Sequence, residues 1–129
     1  TIGFGSSGQL GHGDFKDGAV FREVASLEGR KVVAVACGAR HTVVCTDAGQ
    51  LYTFGSGWCG QLGIGSGDDK HVPRRVKPSK KFVGVAAGRF HTVACTETGE
   101  LYTFGNGHYG QLGHGNGNNC HFPRLVELD

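Results

Sequence analysis

Apolar residues along this chain come in short runs that read as strands. Residues 31–37 (KVVAVAC) are rich in β-branched side chains and stop at Gly38, the pattern of a buried strand. Residues 41–46 (HTVVCT) form a second run. Asp47-Ala48-Gly49 then has turn composition, with the glycine placed to accept positive φ, and residues 50–54 return as a third strand. A hairpin over 41–54 is therefore predicted. The order recurs as 82–87, 91–96, the turn Glu97-Thr98-Gly99 and 100–104. A weaker fourth strand is expected around 22–27, 74–77 or 124–128. No stretch carries helical periodicity over 11 residues, so the predicted class is all-β.

The runs are organised by a repeat. LYTFGSGWCGQLGIG at 51–65 returns as LYTFGNGHYGQLGHG at 101–115, and TIGFGSSGQLGHG at 1–13 is a third copy. Between 35–65 and 85–115, 20 of 31 positions are identical. Phe21-Arg22-Glu23-Val24 also aligns with Pro73-Arg74-Arg75-Val76 and Pro123-Arg124-Leu125-Val126. The chain divides into a partial first unit with the start of the next (1–52), a complete repeat (53–102) and a partial repeat (103–129). A unit of about 50 residues with four short antiparallel strands has the size of one β-propeller blade. Such a blade is apolar on both faces and needs neighbours to bury them. About two and a half units cannot close a ring. The remaining blades are expected from a longer parent chain or from another subunit.

Composition narrows the class further. With 24 glycines in 129 residues the chain is far above the average usage of about 7%, and without a three-residue period these glycines belong to turns. A net charge of +2 is too small to imply nucleic acid by itself. No apolar run approaches the roughly 20 residues of a membrane span, so no membrane partner is expected. The five cysteines are odd in number and lack CxxC spacing. That usage fits a reducing compartment, cytoplasm or nucleus, with Cys45 and Cys95 as small buried thiols.

The repeated sentence, Gly-x-x-His-Thr (Gly38 to Thr42, Gly88 to Thr92), a glycine turn, then LYTFGxGxxGQLGxG and a closing PxxV, resembles the regulator of chromosome condensation (RCC1) repeat family. The resemblance covers essentially the whole chain. It implies blades of a seven-bladed propeller, a fold used in very different proteins. Such propellers accompany ubiquitin-ligase, kinase and lipid-binding domains, and the founding member exchanges guanine nucleotide on a Ran-type small GTPase. The resemblance thus implies a protein–protein interaction module. Its alternatives are nucleotide exchange with chromatin contact and substrate recognition within a ubiquitin ligase. The ultraviolet-receptor branch carries a GWRHT motif, where this sequence has Ala39 and Arg89 at the tryptophan position.

Few residues suggest chemistry. Gly55-Ser56-Gly57-Trp58-Cys59-Gly60 is GxGxxG after a strand, but a dinucleotide site needs a helix to start within it, and GQLGIG is a poor helix start. The motif also recurs at 105–110 and 3–8, so no cofactor is expected. His41 and His91 precede Thr in both copies and are expected as partly buried imidazoles bonded to backbone between blades. His12 and His114 share a position with Ile64. No Ser-His-Asp order, carboxylate pair or zinc-ligand spacing stands out, so neither enzymatic catalysis nor a metal site is expected.

The positions that differ between copies are the candidate partner contacts. Trp58-Cys59 corresponds to His108-Tyr109 and to Ser6-Ser7, and Ala39-Arg40 corresponds to Arg89-Phe90. Trp58, His108, Tyr109, Arg40, Arg89 and Phe90 are of types found at interface hot spots or near them. They could equally fill gaps between blades. A second candidate is the basic segment 73–81 (PRRVKPSKK), whose Arg75, Lys77, Lys80 and Lys81 could meet nucleic acid phosphates, chromatin or an acidic protein face. The plain alternative is a solvated loop.

Overall fold

The computed structural model describes residues 1–128. Among these residues, eight strands form two four-stranded antiparallel sheets in meander order. The first contains β1 (Val32–Cys37), β2 (His41–Thr46), β3 (Leu51–Gly55) and β4 (Lys70–Arg75). The second contains β5 (Phe82–Ala87), β6 (His91–Thr96), β7 (Leu101–Gly105) and β8 (Cys120–Leu125). Register is the same in both, with Val44 opposite Tyr52 in one and Ala94 opposite Tyr102 in the other. The three strong strands of each unit lie where the apolar runs predict them, but β1 is not the buried strand expected: Val32, Val33 and Val35 are exposed, because β1 is an edge strand.

The fourth strand differs from expectation. β4 and β8 begin earlier than 74 and 124, because Gly55 pairs with Lys70 and Gly105 with Cys120 across a register shift. Each contains a proline (Pro73, Pro123), which cannot donate to a ladder and is tolerated because these are edge strands. Residues 22–27 form no strand. Ala25–Leu27 is a 3₁₀ turn, and the first unit retains only an isolated bridge between Gly3 and Gly18.

Strand alternation distributes the core between two layers. On one side of the first sheet Val44, Tyr52 and Phe54 pack with Leu27 and Val24 from the preceding segment. From the other side Cys45 and Leu51, joined by Val76, meet Phe82, Ala94, Tyr102 and Phe104 of the second sheet. Phe54 and Phe104 are almost fully buried, each worth about 2–3 kcal/mol by area. The first sheet is thus sandwiched. The second has one covered face.

Meander order also decides which loops share an end. The β1–β2, β3–β4, β5–β6 and β7–β8 connections lie at one end of the sheets, and the hairpin turns and the β4–β5 link lie at the other.

Candidate functional site

The repeated letters at the loop-bearing end form a fixed hydrogen-bond code. In Gly-x-x-His-Thr the His41 ring lies against Gly38, so that a Cβ there would overlap the imidazole and come within 2.7 Å of the Gly88 carbonyl. Thr42 donates to the Gln9 carbonyl at 2.9 Å, and Thr92 donates to the Gln61 carbonyl at 2.8 Å. Each threonine thereby ties its strand to the glycine-rich loop of the preceding unit. Thr92 Oγ1 has used its proton on Gln61, so it accepts from His41 Nε2 at 2.9 Å. This link joins the two sheets as expected, but through a hydroxyl and not through backbone. It leaves His41 Nδ1 buried without a partner. Burial, with a smaller contribution from His91, pushes the His41 pKa down to about 4. Burial lowers His91 as well. Burial thus favours the neutral form of both imidazoles, and the geometry makes His41 a structural link.

The GxGxxG amides are also committed. Ser56 N–H donates to the Arg40 carbonyl at 2.8 Å, and Gly57 N–H to Asp69 Oδ1 at 3.0 Å. Cys59 N–H donates to Gln61 Oε1 at 2.9 Å and Gly60 N–H to the Gly57 carbonyl at 2.8 Å. The chain continues in turns, without a helix. These are the donors a phosphate would need, and protein oxygens already hold them. The same acceptors recur in every copy, with Asp17 and Asn119 in place of Asp69 and Gln9 and Gln111 in place of Gln61. Among the described residues no group of three or more His, Cys, Asp or Glu is arranged to hold a metal.

The unrepeated residues have a different fate. Trp58, Arg40, Arg89 and Phe90 converge on an open groove of about 410 Å³, together with Asp69, Ser7 and Ser56. Trp58, 64% exposed, meets the Phe90 ring edge-on at 6.0 Å, and the Arg89 guanidinium lies 5.1 Å from the centroid of the same ring. Trp58 therefore fills a gap between sheets with one edge and faces solvent with the rest. The supporting backbone is pinned. Ala39 N–H donates to the Arg89 carbonyl at 3.1 Å, joining the β1–β2 and β5–β6 loops, and Asn106 N–H donates to the Phe90 carbonyl at 2.9 Å. Gly55, at φ +108°, has its bare Cα against the Arg40 carbonyl, where any Cβ would collide.

The other two candidates stand apart from that groove. His108 and Tyr109 pack on each other at 5.1 Å in the β7–β8 loop, with Tyr109 89% exposed. Its repeat partner Cys59 is buried, and burial pushes the thiol pKa up. Sequence comparison singled out Trp58-Cys59 as a pair, but only Trp58 faces outward. Sequence reading named Ser7 only as the counterpart of Cys59 and did not single out Asp69 or Ser56. For Asp69 a signal existed, since an Asp or Asn stands 12 residues after Gly5, Gly57 and Gly107 alike.

The basic segment lies at the opposite end. Arg75 ends β4, and Lys77, Lys80 and Lys81 are exposed in the link to β5. Two of the four charges are countered from the next hairpin turn and its flank. Lys81 pairs with Glu97 at 3.1 Å and Lys80 with Glu100 at 3.3 Å. Hydrogen bonding to Glu100 raises the Lys80 pKa, while Tyr102 and then Lys80 hold the Glu100 carboxyl below its usual range. The patch is weaker than its letters suggest.

Comparison with known proteins gives a consistent result. A family model described as the regulator of chromosome condensation (RCC1) repeat matches residues 1–45, 48–95 and 98–129, and a second model of the same description matches 32–61 and 82–111. The probable E3 ubiquitin-protein ligase HERC3 of Homo sapiens is 47% identical over 74 residues, which are 57% of this chain and 7% of that protein. The crystal structure of human WBSCR16 superposes with a TM-score of 0.84 at 27% identity, covering 99% of this chain and 34% of that one. Prp20p of Saccharomyces cerevisiae, described with its binding properties to Gsp1p and histones, gives 0.82 at 22% identity over 98% of this chain and 33% of that one. The chain spans about a third of those solved structures and under a tenth of the ligase.

Proposed function

The chain belongs to the RCC1 repeat family, and from that premise we propose that it is a section of an RCC1-like propeller serving as a protein–protein interaction module through its loop-bearing end. The observation that carries this reading is the contrast at that end. Repeated residues are consumed by internal hydrogen bonds, while the unrepeated Trp58, Arg40, Arg89 and Phe90 line one open groove on a pinned backbone. Aromatic and arginine side chains on a rigid frame are the composition of an interface hot spot. Further blades from a parent chain or another subunit would extend the same end. Among the described residues no helix is long and apolar enough to cross a membrane.

The test begins with partners recovered by two-hybrid selection. Trp58→Ala and Arg89→Ala should each weaken such a complex at least about tenfold by calorimetry. Lys77→Ala, at the opposite end, should leave it unchanged. Unchanged affinity after both groove substitutions would remove the groove from the account.

Two narrower readings follow from particular relatives. Likeness to HERC3 supports a substrate-recognition propeller within a ubiquitin ligase, tested by whether ubiquitin transfer to a bound protein depends on Trp58. Likeness to Prp20p, at 22% identity, supports the fold, and nucleotide exchange on a Ran-type GTPase is the reading that the family resemblance adds to it. A whole propeller containing this section that fails to accelerate nucleotide release would dispose of that reading. Chromatin contact through Arg75, Lys77, Lys80 and Lys81 is the weakest of these, because Glu97 and Glu100 already counter two of the four charges.

A further inference from the structure

We infer that the groove between the β1–β2 and β5–β6 loops selects an acidic peptide segment, one with carboxylate side chains interleaved with apolar residues. The inference rests on the interaction reading above and gives that surface its ligand chemistry. Charge is the first argument. Arg40 and Arg89 are exposed on the groove, and among the described residues neither guanidinium has a carboxylate within salt-bridge distance. Asp69 is the acid that lines the groove, and its Oδ1 is turned to the Gly57 amide at 3.0 Å. Two guanidinium forks and one carboxylate therefore line the groove, with one oxygen of that carboxylate already bonded to the Gly57 amide, and the excess of positive charge favours an anionic ligand.

Geometry is the second argument. The bond from Ala39 N–H to the Arg89 carbonyl fixes the two arginine-bearing loops relative to each other, and the Ser56 and Asn106 amides hold the carbonyls of Arg40 and Phe90. The arginine backbones are thus preorganised, so that ordering a ligand costs little beyond the side chains themselves. Arg89 is further restrained over the Phe90 ring. Trp58 and Phe90 supply the apolar part, meeting edge-to-face at 6.0 Å with Trp58 still 64% exposed. At about 410 Å³ the groove has room for a few side chains and is open, which suits a peptide passing across it more than an enclosed small molecule.

Trp58 is the chain's single tryptophan, so its emission reports on this groove alone. The experiment titrates the protein with an acetylated, amidated Glu/Leu peptide and with Lys/Leu and Ser/Leu peptides of equal length, following Trp58 fluorescence. Inorganic phosphate is a fourth arm. A saturable change with Glu/Leu only is expected, weakening as ionic strength rises from about 0.05 to 0.5 M. Arg40→Glu and Arg89→Glu should each weaken it at least tenfold, with Lys77→Glu unchanged. Because both arginines are exposed, circular dichroism of these variants should match the parent. A Lys/Leu response equal to that of Glu/Leu, indifference to the arginine changes, or saturation by phosphate without peptide binding would each overturn the inference. A Ser/Leu peptide binding as tightly as Glu/Leu would overturn it too while leaving the groove as a protein surface. Silence of every peptide, together with partner complexes insensitive to Trp58→Ala, would overturn both.

Discussion

The two sheets are close copies in different surroundings. β2 is buried at all six positions, whereas its counterpart β6 is fully buried only at alternate ones. Leu51 is 1% exposed and Leu101 is half-buried; Cys59 is 1% exposed and Tyr109, at the same repeat position, is 89% exposed. Gly60 has positive φ and no room for a side chain, since a Cβ would lie 2.8 Å from His121 Cα, while Gly110 has positive φ and open space. The lesson is that the neighbouring layer sets the burial of a repeated residue. The residue's own identity sets which layer it can accept.

The sharpest way to break this comparison is at those glycines. Gly60→Ala adds a collision to the strain of a positive φ and should cost about 4 kcal/mol, against about 1 for Gly110→Ala. Equal losses by urea denaturation would mean that the sheets do not touch there. Next in size, Leu51→Ala should cost about 3 kcal/mol and Leu101→Ala about half of that, because only the first leaves a closed cavity.

A pH series sharpens the comparison between His41 and its repeat partner. The folded pKa of His41 lies near 4, below the unfolded value of 6.5, so the unfolded chain binds the extra proton first as pH falls. Stability from this group is complete above 6.5 and is lost on the way down to 4, amounting to about 2 kcal/mol by pH 5. Urea midpoints at pH 8 and pH 5 should show that loss. An NMR titration placing His41 near 6.5 would contradict it. Smallest of all, Trp58→Ala should change stability by less than about 0.5 kcal/mol, since most of that side chain is in solvent. A larger loss would make Trp58 a spacer between sheets more than a contact for a partner.

Much of the fold was legible because β-branched runs and glycine turns carry local instructions. β4 and β8 were harder to read. Their prolines and basic residues signal loop, and only pairing with β3 and β7 makes them strands. The groove was half legible. Differences between copies pointed to Trp58, Arg40, Arg89 and Phe90, but the two arginines sit at different steps of their loops, Arg40 aligning with Phe90 and Arg89 with Ala39. Their convergence depends on the bond between the loops, which no spacing reveals. Cys59 was misleading for the same reason, because its buried sulfur lies 3.7 Å from the Asn106 side chain, 47 residues along the chain.

Residues that hold the sheets and residues that meet a partner are separate sets in this chain. Affinity and thermal midpoint measured together in the double variant Trp58→Ala/Arg89→Ala decide whether that separation holds. Affinity for a selected partner should fall at least about tenfold, with a midpoint within about 3 °C of the parent. Unchanged affinity, or a midpoint that falls far below the parent's together with the affinity, would show that the two sets are not separate.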